Sequence, residues 1–280
     1  IDFGEALNEH RMLSVRKLIK NGSVTTLFQP IIDLYAQSIL GYEVFTRGVG
    51  ELTDPEVLFE KAIHQRCLWE LEQLCRETAI RKIASLPLKF RNVLFFFNVS
   101  PEILSDPRFV QGFTISMLKS MHLDPRRIVI ELSEKAGDFE SQALEKLIRH
   151  YSSQGLKIAI DDFGAGHSSL LSLVTTNPNY IKMSKLLVEN IDKDDYKQKI
   201  VKSLLAMTTN VEHQVIAQGV ETWDEMKTLV RLGVRYFQGY LIQVPSPEPE
   251  RVELSFRQKA LRLVREQSYP RASVGDTVKD

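Results

Sequence analysis

The chain has 280 residues, and its 36 Lys+Arg balance 36 Asp+Glu, so the formal net charge at pH 7 is zero. Hydrophobic residues make up 43% and charged residues 26%, an ordinary globular composition that excludes wholesale disorder, collagen and a disulfide scaffold. That balance argues against nucleic acid or an anionic membrane surface as the main partner, and leaves room for a small anionic ligand at a local site.

No apolar run approaches the roughly 18 residues of a membrane span. The longest, Val93 to Val99, is interrupted by Asn98. No signal peptide is visible. Cys67 and Cys75 fall in a helix-like stretch, about 12 Å apart along its axis, too far for a disulfide. They read as buried thiols in a reducing cytoplasm, the expected location. The chain opens on Ile1 rather than Met, as expected of a piece of a longer protein.

Residues 5–20 carry a helical apolar pattern (Leu7, Met12, Leu13, Val15, Leu18, Ile19) that stops at Asn21-Gly22. This segment is expected to be a connector, with residues 21–247 as the main domain. Val24 to Ile32 reads as a strand, followed by a turn and a return strand ending at Val44, so the domain opens on a hairpin. Residues 55–85 hold two helical patterns. Six short apolar runs then recur at 93–100, 127–134, 156–164, 180–184, 213–221 and 234–240. Helical stretches between them include 140–154, 185–209 and 223–232. Continuous apolar runs fit parallel strands buried on both faces, and so many β-then-α units favour a closed barrel. After Tyr240 the strand pattern ends. Residues 248–280 are expected to form an extra amphipathic helix, 252–264, and a polar tail.

Polar residues close each run: Asn98, Glu131, Asp161 with Asp162, Lys182, Gln218 with Glu221, and Gln238, while the hairpin adds Glu43. In a parallel barrel these strand ends share one rim, where active sites sit. Capping or solvent exposure explains any single one, but less easily all of them. Glu43, Asn98, Glu131, Asp161 and Asp162 offer hard oxygens without a thiolate or imidazole cluster, which selects Mg²⁺ or Mn²⁺ over zinc. Four carboxylates suit one or two such ions, which can activate water and clamp a phosphate. Lys182 either orients that water or pairs with a barrel carboxylate. His167, a lone histidine near the rim, is assigned no role.

These residues resemble the EAL domain family of cyclic di-GMP phosphodiesterases. Glu43-Val44-Phe45-Thr46-Arg47 is similar to the family signature, with Val-Phe in place of Ala-Leu. The likeness continues through Phe28-Gln29-Pro30-Ile31, Asn98-Val99-Ser100-Pro101, Glu131-Leu132-Ser133-Glu134, Asp161-Asp162-Phe163-Gly164, Ile181-Lys182, Gly219-Val220-Glu221-Thr222 and Gln238-Gly239-Tyr240-Leu241. It covers roughly residues 10–247. The resemblance implies an α/β fold, a modified TIM (β/α)8 barrel with an antiparallel first strand. It also implies cleavage of cyclic di-GMP to linear pGpG with Mg²⁺ or Mn²⁺. Carried across, Glu43, Asn98, Glu131 and Asp161 would hold a first cation, Asp161 and Asp162 a second, and Lys182 the attacking water. Gln238 would support that centre, beside Glu221. Gln29, Phe45, Arg47 and Pro245 match dinucleotide contacts. Glu134 and residues 163–170 match a segment that links homodimerisation to the metal site.

Three departures matter. Gln218 stands where the family has a glutamate that ligates metal and has been proposed as the general base, and an amide cannot accept a proton at neutral pH. Ser184 and Asn179 replace family aspartates and are expected to remove negative charge near the rim. Phe45 is larger than the usual leucine. Three readings stay open: a degenerate EAL domain that binds cyclic di-GMP as a receptor, an active phosphodiesterase, and a protein-interaction module without nucleotide. An upstream sensor or cyclase-like domain is the expected neighbour. Gln218 is consistent with either natural drift or a designed substrate trap.

Overall fold

The computed structural model describes residues 15–100, 102–103, 106–133, 141–165, 173, 176–208, 211 and 213–268. Eight strands close into a barrel in chain order: β1 Thr25–Asp33, β2 Ser38–Arg47, β3 Leu94–Asn98, β4 Ile128–Ser133, β5 Lys157–Phe163, β6 Tyr180–Met183, β7 Gln214–Ala217 and β8 Tyr236–Phe237. β1 runs antiparallel to both β2 and β8, and the other neighbours are parallel. The expected barrel and its opening hairpin are therefore both present. The parallel pairs need crossovers, and helices supply most of them: α1 Pro55–His64, α2 Leu68–Ala84, α3 Phe113–Ser120, α4 Ser141–Ser152, α5 Asp195–Thr208 and α6 Trp223–Leu232. A last helix, α7 Leu254–Ser268, follows the barrel, and residues 15–21 form a helical lead-in.

Local chemistry sets the helix ends. Asp54 caps α1, accepting from the Glu56 N–H, and Pro55 takes the first turn, where its missing N–H costs nothing. Thr222 and Glu225 form a reciprocal capping box on α6, which ends at Gly233 in the left-handed region. The single helix expected over 185–209 is broken. A short turn at Lys185–Val188 ends before Asn190, which is left-handed at φ 56°, and Asp194 starts α5 by accepting from the N–H groups of Tyr196 and Lys197. Short polar side chains bond their own backbone and compete with helix continuation. The C-terminal helix runs to Ser268, beyond the expected end at 264.

The core has two parts. One fills the space between the strands and the surrounding helices. The other lies inside the barrel and consists of Ile31, Phe96, Val129, Ala159, Tyr180, Ile216 and Tyr236. Side chains alternate along a strand with period two, so the residue two positions toward the rim also faces inward. From those apolar residues the step of two arrives at Gln29, Asn98, Glu131, Asp161, Lys182, Gln218 and Gln238. β1 is counted backward because it is antiparallel. On β2 the corresponding pair is Gly41 and Glu43. A Cβ at Gly41 would sit 2.6 Å from the Leu94 carbonyl oxygen and 2.9 Å from the Phe96 ring, so only glycine admits that ring beneath the polar layer.

Candidate functional site

The polar layer is a bonded cluster. The Lys182 side chain is fully buried, and its Nζ lies 2.7 Å from Glu43 Oε2, 2.7 Å from Glu131 Oε1 and 3.1 Å from Asp161 Oδ1. Of the two roles expected of Lys182, the ion pair with barrel carboxylates is the one the contacts display. Gln238 Nε2 donates to Glu43 Oε2 at 2.7 Å and to Gln29 Oε1 at 3.0 Å, and Asn98 Nδ2 donates to Glu43 Oε1 at 3.0 Å. Gln29 in turn donates to the Gln243 carbonyl, tying the cluster to the segment after β8.

The electrostatics are uneven. Burial opposes the Glu43 charge, but Lys182 and the amides of Gln238 and Asn98 outweigh it, so its carboxyl stays below the usual range. Glu131 is pushed well up, by burial first and by the Glu43 charge second. Asp161 is raised by burial, against the pull of Lys182. Burial disfavours the Lys182 charge, yet Asp161, Glu131 and Glu43 together hold its pKa far above normal. Three carboxylates around one ammonium leave an excess of acceptors. Among the described residues, Glu131 Oε2, Gln218 Oε1 and Gln238 Oε1 are buried and accept no hydrogen bond.

Those orphaned oxygens test the fit to a cation. Among the described residues no three His, Cys, Asp or Glu side chains stand as a ready metal cluster, because the acids are gathered around Lys182. The donor chemistry nevertheless fits: hard, buried, unsatisfied oxygens beside carboxylates suit Mg²⁺, Mn²⁺ or Ca²⁺.

Above the layer opens a cavity of about 550 Å³, within the range of ligand pockets. Gln29, Glu43, Phe45, Asn98, Asp161, Gln218, Glu221 and Gln238 line it, so most expected site residues share one mouth. Glu131 and Lys182 lie beneath its floor. Arg47 and Pro245 are not among the lining residues. The Arg47 guanidinium lies over the Phe45 ring, 5.7 Å from its centroid, and donates to the Thr46 carbonyl. Pro245 immediately precedes Ser246, which bridges to Phe28 on β1. Asp162 is left-handed at φ 54°, where β5 shifts register, and its Oδ1 accepts from Gln218 Nε2 at 3.0 Å. Glu134, His167 and residues 166–170 of the expected coupling segment lie outside the described residues.

One expectation is corrected. Asn179 precedes β6 and sits at the opposite end of the barrel from the rim. Its side-chain carbonyl accepts from the Ile158 N–H at 2.9 Å, and its backbone carbonyl from the Gln214 N–H at 2.9 Å. It staples β5 to β7 across β6 and removes no charge from the mouth. Ser184, by contrast, lies at the rim end of β6, with its hydroxyl buried and without a hydrogen-bond partner among the described residues.

Sequence reasoning missed two groups. Lys185 lines the mouth and donates to Glu221. Glu72 and Arg76 form a buried pair at 2.6 Å on α2, and Glu72 Oε1 accepts from the Ser100 N–H at 2.9 Å, holding the segment that follows Asn98. Their spacing of four on a helical apolar face was the available signal.

An eight-stranded barrel whose strand ends gather hard oxygen donors beneath an open mouth belongs to the TIM-like class in which the C-terminal rim carries the chemistry. Within that class the chain belongs to the EAL domain family, which it matches over residues 12–245. It is 29% identical over 234 residues to the "Probable cyclic di-GMP phosphodiesterase PdeN" of Escherichia coli (strain K12). That match covers 82% of this chain and only 45% of the relative, so the chain spans less than half of that protein's length. Among solved structures it is similar to Klebsiella pneumoniae BlrP1 in a calcium/cyclic di-GMP complex (TM-score 0.75, 27% identity, 82% of this chain and 58% of that one). It is also similar to a standalone EAL protein of Vibrio cholerae O395 in its c-di-GMP-bound form (TM-score 0.73, 28% identity, 83% of this chain and 97% of that one). No helix among the described residues is long and apolar enough to cross a membrane.

Proposed function

We propose that this EAL domain binds cyclic di-GMP at the β2–β8 rim and cuts it weakly or not at all, acting as a second-messenger receptor. The observation that carries the reading is Gln218: its amide donates to Asp162 Oδ1, at a position where a family glutamate would instead repel Asp162 and compete for a cation. Gln29, Phe45, Arg47, Asp162, Gln238 and Pro245 are the proposed ligand contacts. Glu43, Asn98, Glu131 and Asp161 would hold a first divalent cation, Mg²⁺ or Mn²⁺, and Asp161 with Asp162 a second. Bound there, the cation supplies Lewis-acid polarisation of a phosphate and a more acidic water. Lys182 would orient that water and offset developing negative charge, and Gln238 and Asn98 fix the Glu43 carboxylate for it. Gln218 can orient a water but cannot take its proton, and loss of a general base costs on the order of 10²–10⁴ in rate.

A second reading, an active phosphodiesterase that makes pGpG, is favoured by the persistence of Glu43, Asn98, Glu131, Asp161 and Lys182 around one centre. Titration calorimetry with cyclic di-GMP in Ca²⁺, and chromatography for pGpG in Mg²⁺ and Mn²⁺, separate the two. Binding without product supports the receptor. Product at a rate that Gln218→Glu does not raise supports the enzyme. No heat from high-micromolar ligand ends both. Homodimerisation through the 163–190 region, an upstream sensor or cyclase-like domain, and residence in the cytoplasm belong to the same proposal, and sedimentation with and without ligand tests the first of these.

A further inference from the structure

A second cavity, of about 390 Å³, lies at the opposite end of the barrel, beside the β1–β2 turn. Its two walls come from different parts of the chain. Ile32, Ile39, Tyr42 and Phe90 belong to the part of the chain that matches the family, whereas Phe256 and Ala260 lie on α7, beyond the match at residue 245. The second wall is well seated. Val252, Phe256, Ala260 and Leu263 are buried, and the Phe256 ring packs on Trp223 with centroids 5.1 Å apart. The space is therefore built between two packed elements.

Its charge is one-sided. Lys89, Arg251 and Arg257 line it, and among the described residues none of the three forms an ion pair. The acidic residue on the lining is Asp33, which is already committed. Its Oδ2 accepts from Arg235 at 2.9 and 2.7 Å, and its Oδ1 accepts from the N–H groups of Tyr35 and Ala36. The Tyr42 hydroxyl is also spent, donating to the Glu250 carbonyl at 3.0 Å. The cleft opens to solvent, and its floor is apolar: Ile32, Tyr42, Phe90 and Phe256 are buried beneath the exposed Lys89, Arg251 and Arg257. An apolar floor rimmed by uncompensated guanidinium groups is complementary to a ligand with an apolar body and an anionic head.

We propose that this cavity is a second ligand site for a small amphipathic carboxylate, its apolar body against Ile39, Phe90 and Phe256 and its head held by Arg251 and Arg257. The site is independent of the rim, and α7 supplies one of its walls.

The test is titration calorimetry of the full chain with decanoate. Decanol supplies the body without the charge, and acetate the charge without the body. Saturable one-to-one binding of decanoate is expected, weakened by about tenfold or more in Arg251→Ala/Arg257→Ala. Decanol should be weaker than decanoate, and acetate silent. Ser38→Trp, an exposed lining position, should block binding by filling the space. The arginines and Ser38 are exposed, so all variants should melt as the wild type does. Absence of saturable decanoate binding below about 1 mM overturns the proposal, as does equal affinity in wild type and the double-arginine variant, or uptake of several molecules per chain.

Discussion

Replacing Lys182 with methionine tests the centre of the site. The ammonium has carboxylate oxygens at 2.7, 2.7 and 3.1 Å, and both it and Glu131 are removed from solvent. Methionine preserves most of the volume but leaves Glu43, Glu131 and Asp161 facing one another. Removing one partner of a buried ion pair typically costs about 3–5 kcal/mol. At about 2–3 °C per kcal/mol for a chain of this size, Lys182→Met should lower Tm by roughly 6–15 °C in EDTA. The same three acids should then accept Mn²⁺ more readily, so the metal should raise the variant's Tm by more than it raises that of the wild type. Calorimetric melts with EDTA and with Mn²⁺ measure both effects. A variant that melts within about 2 °C of wild type in EDTA, or that gains no more from Mn²⁺, would refute the placement of Lys182 as the counter-charge of this cluster.

Arg76→Leu strands the buried Glu72 carboxylate and should cost about 3–5 kcal/mol in urea unfolding. Glu72→Met/Arg76→Leu should cost less than that single change, and if the double variant is the worse of the two the buried-charge argument fails. Burial opposes the Glu225 charge, but N–H groups of Asn190, Glu221 and Thr222 overcome it and hold the carboxyl below its ordinary value of about 4.5. The stabilisation is therefore complete above pH about 4.5 and lost as pH falls through the depressed folded value. Glu225→Gln should cost about 1.5–3 kcal/mol near neutrality, with the difference shrinking in acid, and a gap that widens there contradicts the assignment. At Gly239 a Cβ would fall 2.1 Å from the Val220 carbonyl oxygen. Gly239→Ala should therefore destabilise by at least about 1–3 kcal/mol and disturb the neighbouring Gln238, which chemical denaturation and loss of cyclic di-GMP heat would report.

The helix expected over 185–209 shows where local pattern was insufficient. Its apolar spacing continues past residue 190, but the Asn190 N–H is taken by Glu225 Oε1 of α6, a partner 35 positions away that no local pattern reveals. Asn179 shows the same limit. Position before a strand placed it near the polar residues in sequence, while strand direction put it at the other end of the barrel. Gln218 was legible as a lost charge, but its bond to Asp162 joins residues 56 positions apart that only barrel closure brings together.

Alternation along each strand was decided by sequence alone. A pleated backbone turns every second side chain inward, so an apolar residue followed two places later by an acid, amide or lysine specifies a greasy floor under a polar lid. The counterpart of each lid residue was a tertiary matter. Lys182 reaches Glu43 across 139 positions of chain, and only closure of the barrel brings such distant charges within bonding range. Closure likewise made the lower cavity, since a trailing helix has no wall to face until the barrel end exists.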